Sequence, residues 1–279
     1  LKACCNMEAL QRANDIHIQL EQEDFQEEGM VIGNMMVDIY GKCGWLTKAQ
    51  QVFDNLLLRS VISWNALMIG YIEHDHGEKA MECFNQMQVE GVCPDAITFL
   101  CSLKACGRLG ARVLGQKLHA YIIMKGLLRS DALLGNSLVD MYIKSKHLEE
   151  AQAVFDRLDE HDVVSWTILI TGYSEYGDES KALHCFQQMQ NEGISPTDVT
   201  FVCSLKACGD IGAIDKGQEI HVEIERRGFL ERGCMVGNTL LDMYAKCGSL
   251  VMARGVFDKL LVRDIVSWNA LIGGYAEHG

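Results

Sequence analysis

Apolar residues follow a helical period through much of this 279-residue chain. Between residues 61 and 95, two stripes have the i, i+3, i+4, i+7 spacing that places side chains on one face of an α-helix. The stripes are Trp64, Leu67, Met68 and Tyr71, then Ala80, Cys83, Phe84 and Met87. Polar residues 74–77 separate them, and Gly91 and Pro94 follow the second, as is common at a helix C-terminus. The segment therefore predicts two short amphipathic helices joined by a turn.

This pattern returns at a fixed offset of 102 residues. The sequence SWNAL begins at Ser63 and at Ser267, SWTIL begins at Ser165 between them, and CSLKACG begins at Cys101 and at Cys203. Each period divides into segments of 35, 36 and 31 residues, and each segment predicts a helix pair. One such pair cannot bury its apolar face alone, but stacked pairs can. We therefore predict an all-α fold, a superhelical solenoid of helix-turn-helix repeats similar to tetratricopeptide arrays, right-handed by analogy with known solenoids.

Composition supports burial without a membrane span. Hydrophobic residues make up 48% of the chain, yet no apolar run approaches the ~18–20 residues that a span needs. The twelve cysteines include pairs that recur inside apolar stripes, where free cysteine acts as a small hydrophobe. We therefore expect a reducing compartment rather than disulfides. No transit segment is visible and both ends lie inside a repeat, so we expect a fragment of a longer protein.

The net charge of −13 does not favour nucleic-acid binding, because proteins that bind nucleic acids usually carry a basic surface. Segment 96–131 departs from this balance, with six lysines and arginines and one acidic residue, Asp131. The equivalent segment 198–233 does not keep this excess. Any contact with a nucleic acid would therefore depend on local charge.

Three sets of repeated motifs together cover essentially the whole chain. The first set is GN…DIYGKCG at 33–44, GN…DMY at 135–142 and GN…DMYAKCG at 237–248. The second is VISWNALMIGY at 61–71, VVSWTILITGY at 163–173 and IVSWNALIGGY at 265–275. The third is TFLCSLKACG at 98–107 and TFVCSLKACG at 200–209. With the rotation of lengths, these motifs resemble the S-, P- and L-type repeats of the pentatricopeptide repeat family, in its plant P–L–S subclass.

The resemblance implies one continuous solenoid domain that binds single-stranded RNA in chloroplasts or mitochondria, one base per repeat. The subclass is similar to site-recognition factors for cytidine-to-uridine editing, and its L-type repeats can dock small accessory editing proteins. No cofactor, membrane or small-molecule substrate is implied. The predicted repeats are 1–29 (partial L), 30–60 (S), 61–95 (P), 96–131 (L), 132–162 (S), 163–197 (P), 198–233 (L), 234–264 (S) and 265–279 (partial P).

In this family the fifth and last residues of a P- or S-type repeat select the base, and the second, usually aliphatic, residue sandwiches it. The resemblance assigns base selection to Asn34 with Ser60, Asn65 with Asp95, Asn136 with Asp162, Thr167 with Thr197, Asn238 with Asp264, and Asn269. It assigns base sandwiching to Val31, Ile62, Leu133, Val164, Met235 and Val266. An asparagine amide offers a donor and an acceptor together, which suits the mixed edge of a pyrimidine.

The assigned pairs imply a target sequence. Asparagine with serine favours C, asparagine with aspartate favours U, and Thr167 favours a purine, although Thr197 departs from the usual Asp or Asn. The L-type repeats carry Leu100 and Val202 at the fifth position, and an apolar side chain cannot read a base edge. The predicted RNA is therefore C-U-n-U-(purine)-n-U. Phosphate contacts would come from basic residues on the rim, with Lys104, Lys144 and Lys246 as candidates.

Simpler roles compete for several of these residues. The five asparagines each precede a helical stripe, so they could cap helix N-termini, although the paired aspartates favour base contact. The tryptophans Trp64, Trp166 and Trp268 could stack on bases, but their place on the apolar stripe favours the core. The histidines His17, His119 and His221 lie three repeats apart and cannot converge on one metal ion, which favours hydrogen bonding between helices. The recurring cysteine pairs lack the CxxC spacing of zinc sites.

The sequence contains no candidate catalytic constellation, and the HxE…PCxxC signature of zinc deaminases does not occur in it. We therefore predict recognition rather than catalysis. The alternative function is a helical-repeat scaffold that binds a protein partner, as tetratricopeptide arrays do. The acidic net charge favours that alternative, and the fixed Asn/Asp pairing disfavours it.

Overall fold

A computed structural model describes residues 28–128, 132–231 and 233–278, and all their regular elements are helical. The α-helices are α1 (Glu28–Lys42), α2 (Leu46–Asp54), α3 (Val61–Glu73), α4 (Gly77–Val89), α5 (Ala96–Leu109), α6 (Arg112–Met124), α7 (Ala132–Lys144), α8 (Leu148–Phe155), α9 (Val163–Glu175), α10 (Glu179–Asn191), α11 (Asp198–Asp210), α12 (Ile214–Arg226), α13 (Cys234–Lys246), α14 (Leu250–Lys259) and α15 (Ile265–His278). A 3₁₀ turn spans Phe229–Glu231. Within these residues, no helix is both long and apolar enough to cross a bilayer.

The chain forms two compact units, Leu1–Ser145 and Lys146–Gly279. In the first unit, α1, α3, α5 and α7 pack side by side in a row. In the second, α9, α11, α13 and α15 form a row of the same kind. We call these eight the first helices. The remaining second helices pack against the rows, so that α4, for example, contacts both α3 and α5. This is the arrangement expected when paired helices bury their apolar stripes against neighbouring pairs.

Polar side chains fix where the first helices begin. Asp95, Asp162 and Thr197 cap the N-termini of α5, α9 and α11. Each forms a capping box. The side chain of the cap accepts a hydrogen bond from the backbone N–H three residues later, and the hydroxyl of that later residue accepts one from the backbone N–H of the cap. Ser60 caps α3 in the simpler way. At the other end of α5, Gly110 adopts the left-handed conformation (φ 61°) that ends many helices.

Aromatic pairs anchor each helix pair to the next. The ring of Trp64 lies edge-on to Phe53 at 4.5 Å, and Trp166 repeats the contact with Phe155 at 4.6 Å. Both tryptophans are only 2% exposed, which confirms their predicted place in the core. Trp268 differs, because 49% of it is exposed. In the described residues no second helix follows α15, whereas α4 and α10 follow the helices that carry Trp64 and Trp166.

Hydrogen bonds between helices also recur at the 102-residue offset. The Nδ1 atoms of His119 and His221 lie 2.9 Å from the hydroxyls of Tyr142 and Tyr244, respectively. The predicted interhelical role of these two histidines is therefore confirmed, while His17 lies outside the described residues.

Several thiols serve as small apolar core residues, whereas Cys93 is exposed and Cys43, against the expectation of no disulfides, is disulfide-bonded. Nine cysteines from Cys83 to Cys247 are free. Burial raises the pKa of Cys101, Cys106 and Cys208 to about 12. Because the thiolate is the reactive form, these three thiols are poor nucleophiles at neutral pH.

Two glycines allow α1 and α3 to cross closely. A Cβ atom added to Gly70 would lie 2.7 Å from the Cα of Gly41, and one added to Gly41 would lie 3.1 Å from the Cα of Gly70. Both obstacles are backbone atoms, so no side-chain movement could relieve the clash. The packing of the first row therefore requires glycine at this crossing.

Candidate nucleic-acid interface

An apolar side chain is exposed at the second position of every predicted repeat from 30–60 to 265–279. The fractional exposures lie between 46% and 63% for Val31, Ile62, Ile97, Leu133, Val164, Val199, Met235 and Val266. Each lies near the start of a first helix. Isolated exposed hydrophobic residues are normal, but a regular series on each of the two rows of packed helices is typical of a contact surface.

The series contains two members that the sequence-based assignment omitted. Ile97 and Val199 belong to the predicted repeats 96–131 and 198–233, whose apolar fifth residues excluded them from base reading. They are exposed like the six residues assigned to base sandwiching. Their position, second in the repeat and 102 residues apart, was the signal that could have identified them. The series of exposed second-position residues therefore includes every predicted repeat type within each compact unit.

The asparagines lie one turn further along the same helices. Asn65, Asn136 and Asn238 are the fifth residues of α3, α7 and α13, and only 5%, 5% and 8% of each is exposed. The alternative that they cap helices is wrong, because each helix begins four residues earlier. In α3 the capping role belongs instead to Ser60, the last residue of the preceding repeat.

The structure brings Asn65 and Asp95 together. Asn65 Nδ2 donates a hydrogen bond to Asp95 Oδ1 over 2.9 Å, and the backbone N–H of Thr98 donates to the same oxygen over 2.8 Å. Thr98 Oγ1 lies 2.8 Å from Asn65 Oδ1. Burial alone would raise the pKa of Asp95, but the hydrogen bonds from Thr98 and Asn65 outweigh it and hold the pKa below its usual value. Asp95 is therefore a fixed, ionised acceptor beside the amide.

Asn238 and Asp264 form the equivalent pair in the second compact unit. Asn238 Nδ2 lies 3.0 Å and 3.2 Å from the two carboxylate oxygens of Asp264, and the Ser267 N–H donates to Oδ1 over 2.9 Å. The hydrogen bond from Ser267 is the largest cause that lowers the pKa of Asp264. Asn238 Oδ1 is buried and has no hydrogen-bond partner among the described residues. A buried acceptor left unpaired costs about 1–3 kcal/mol, which a donor on a ligand would offset.

The other assigned positions differ in what they present. Thr167 Oγ1 donates to the carbonyl of Val163 over 2.6 Å, so its hydroxyl is left as an acceptor. Asp162 and Thr197 are capping residues, and Asn34 Oδ1 is buried with no hydrogen-bond partner in the described part of the chain. Asn269 is exposed in the last helix. The residues assigned as base-selecting are therefore a mixture of rigid amides, helix caps and one hydroxyl.

Positive charge on the first helices is mostly neutralised. Lys144 pairs with Asp140 at 2.5 Å, and Lys246 pairs with two aspartates, at 2.8 Å and 3.3 Å. Lys104 and its counterpart Lys206 are exposed, and within the described residues neither forms an ion pair. Of the three predicted phosphate contacts, only Lys104 therefore has an ammonium group ready for a new anion.

Comparison with known proteins identifies the family. A family model described as the PPR repeat family matches residues 59–108 and 161–210, and one described as PPR repeat matches residues 34–61, 136–163, 238–265 and 266–279. Together these matches cover most of the chain. The chain belongs to the pentatricopeptide repeat (PPR) family.

Curated relatives of this PPR chain come from Arabidopsis thaliana. It is 35% identical over all its 279 residues to "Pentatricopeptide repeat-containing protein At3g24000, mitochondrial" and 34% identical to "Pentatricopeptide repeat-containing protein At4g18520, chloroplastic". The chain spans 44% and 45% of the lengths of these two proteins.

Solved PPR structures share the fold. The crystal structure of PPR10 in complex with an 18-nt psaJ RNA element superposes with a TM-score of 0.75 and 18% identity, over 95% of this chain and 40% of that chain. A second crystal structure, of PPR10 from maize, superposes with a TM-score of 0.60 and 18% identity, over 95% of this chain and 44% of that chain. The predicted fold class, an all-α solenoid of helix-turn-helix repeats, is confirmed.

Proposed function

We propose that this chain binds single-stranded organellar RNA in a sequence-specific manner and so marks a site for cytidine-to-uridine editing. The observation that carries the proposal is the recurrence, on the first helices, of an exposed apolar side chain one turn before a buried polar one. The RNA-bound PPR10 structure, which has the same fold, supports RNA as the ligand class. The mitochondrial and chloroplastic relatives support an organellar location.

The chemistry of this surface suits unpaired bases. A base inserted between the second-position side chains of consecutive repeats would remove their exposed apolar surface from water. The same base edge would then meet the fifth-position side chain, in a site where excluded water strengthens each hydrogen bond. Asn65 and Asn238 are already fixed by aspartates, so little side-chain entropy is lost on binding.

The proposal assigns repeats 30–60 to 234–264 to the sequence C-U-n-U-(purine)-n-U, numbered here as nucleotides 1 to 7. Repeats 96–131 and 198–233, the proposed L-type repeats, would hold nucleotides 3 and 6 without selecting them, and can also dock accessory editing proteins. The editing chemistry itself would be supplied by another domain or protein.

Gel-shift titration with an oligonucleotide that contains this sequence tests the proposal. We expect a scrambled oligonucleotide of the same composition to bind at least about tenfold more weakly, because each mismatched base costs about 1–3 kcal/mol. Asn65→Thr should move the preference at nucleotide 2 from pyrimidine towards purine and leave the fold intact. Equal affinity for both oligonucleotides, or binding that does not respond to salt, would favour a protein-binding scaffold instead.

Removing the free lysine charges should weaken binding to all sequences equally. We expect Lys104→Gln and Lys206→Gln each to reduce the slope of log affinity against log salt by about 0.7, the value for one phosphate contact on a single strand. Lys144→Gln is the matched control, because Asp140 already neutralises that ammonium group. A slope that changes as much in the control as in the two test variants would contradict this assignment.

A further inference from the structure

We propose that Thr98 is a specificity-determining residue. It is the third residue of repeat 96–131, which follows the repeat of Asn65, and it determines which atoms of the Asn65 amide remain free to hydrogen-bond with a base. The inference rests on the proposed function and refines it. Repeats 61–95 and 234–264 carry the same Asn and Asp at the assigned positions. Their hydrogen bonds nevertheless differ, so we infer that the two repeats discriminate bases to different extents.

In repeat 61–95, both ends of the Asn65 amide are engaged. One N–H of Nδ2 is donated to Asp95 Oδ1. Thr98 Oγ1 lies 2.8 Å from Asn65 Oδ1 and 2.9 Å from Asp95 Oδ1, and it has one proton to donate. Asp95 Oδ1 already accepts from Asn65 Nδ2 and from the Thr98 N–H, which occupy its two lone pairs. The Thr98 proton therefore goes to Asn65 Oδ1, and only the second N–H of Nδ2 is left for a base.

In repeat 234–264, the third residue of the next repeat makes a different bond. Ser267 Oγ donates to the backbone carbonyl of Asp264 over 2.8 Å, not to the asparagine. Asn238 Oδ1 consequently remains buried with no hydrogen-bond partner in the described residues. Asn238 therefore offers both an acceptor and a donor to a base edge.

Two other repeats show that the contact, rather than the residue type, makes the difference. Ser63 Oγ donates to the carbonyl of Ser60 over 2.8 Å, and Asn34 Oδ1 is buried without a partner among the described residues, as in repeat 234–264. Thr200 also donates to a backbone carbonyl, that of Thr197, although it is a threonine like Thr98. Of these third residues, Thr98 is the one whose hydroxyl is directed at the base-selecting amide.

The difference has a consequence for pyrimidine discrimination. Uracil and cytosine both carry the O2 acceptor, so a lone N–H donor at Asn65 pairs with either. Uracil has an N3–H donor where cytosine has an acceptor, and an asparagine with a free carbonyl oxygen can distinguish them. We therefore expect nucleotide 2 to tolerate C in place of U, and nucleotide 7 to require U.

The experiment measures the ratio of affinities for U and C at nucleotides 2 and 7 of the target oligonucleotide. In the unaltered chain we expect less than about threefold preference for U at nucleotide 2 and about tenfold at nucleotide 7, the effect of about one hydrogen bond. Thr98→Val removes the hydroxyl and frees Asn65 Oδ1, so the ratio at nucleotide 2 should rise to about tenfold while the ratio at nucleotide 7 stays the same.

Thr200→Val is the matched control. It removes the same capping-box hydroxyl from α11 that Thr98→Val removes from α5. The base-selecting residue of the preceding repeat, Thr167, donates its hydroxyl to Val163 and not to Thr200. Thr200→Val should leave the ratios at nucleotides 2 and 7 unchanged. Equal U preference at the two nucleotides of the unaltered chain would overturn the inference even if Thr98→Val failed to fold. No base preference at either nucleotide would instead refute the proposed function.

Discussion

Replacement of Gly70 by alanine is expected to lower the free energy of unfolding of the first compact unit by about 1–3 kcal/mol, as overpacked positions usually do. The added Cβ would lie 2.7 Å from the Cα of Gly41, and the obstacle is backbone on the neighbouring helix. Alanine is the better helix former by about 1 kcal/mol, but that gain is smaller than the cost of moving α1 away from α3. Urea denaturation followed by circular dichroism measures the change.

Gly255→Ala is the matched control for this prediction. Gly255 also lies inside a helix, α14, and a Cβ added there meets no atom within 4 Å. Alanine should therefore stabilise this position by about 0.5–1 kcal/mol through helix propensity alone. If the two variants changed stability in the same direction and by similar amounts, the close crossing of α1 and α3 would not be a packing constraint.

Local sequence patterns predicted the helix pairs well. The stripes Trp64–Tyr71 and Ala80–Met87 became α3 and α4, separated by a short turn as expected. The contact between Gly41 and Gly70 could not be predicted in the same way, because it depends on how helices from two repeats cross. Periodicity reports which face of a helix is buried, but not which backbone atoms meet there.

The candidate site was predicted less completely than the fold. The pairing of Asn65 with Asp95 followed from the family resemblance, whereas the residues alone also allowed Asn65 to be a helix N-cap. The choice of acceptor by Thr98 could not be predicted, because its hydroxyl lies 2.8 Å from Asn65 Oδ1 and 2.9 Å from Asp95 Oδ1, and only the bonds that Asp95 Oδ1 already accepts decide between them. By contrast, the neutralisation of Lys144 was readable, because Asp140 lies four residues earlier on the same helix.

Burial of the asparagines and exposure of the second-position residues serve the same purpose, the recognition of a base. An apolar side chain can gain binding energy from a base only if water covers it beforehand. An amide discriminates bases best when neighbouring groups hold it rigid and exclude water. Residues that select and residues that sandwich should therefore differ in exposure, as Ile62 and Asn65 do within one helix.

The double substitution Ile62→Ser and Val164→Ser is expected to weaken RNA binding by about thirtyfold. Both side chains are exposed in the free protein, at 63% and 47%, so their removal should leave the melting temperature nearly unchanged. Each loses the apolar contact with a base, worth about 1 kcal/mol at about 25 cal/mol per Å² of buried area, or about 2 kcal/mol together. Filter binding with the target oligonucleotide measures the loss.

Val89→Ser and Val251→Ser provide the matched control, because both residues are apolar and even more exposed, at 80% and 85%, but belong to the second helices α4 and α14. This pair should bind RNA as the unaltered chain does. The salt dependence should be the same for both double variants, since no phosphate contact is removed. An equal loss of affinity in the two would mean that general surface hydrophobicity, and not the row of second-position residues, determines binding.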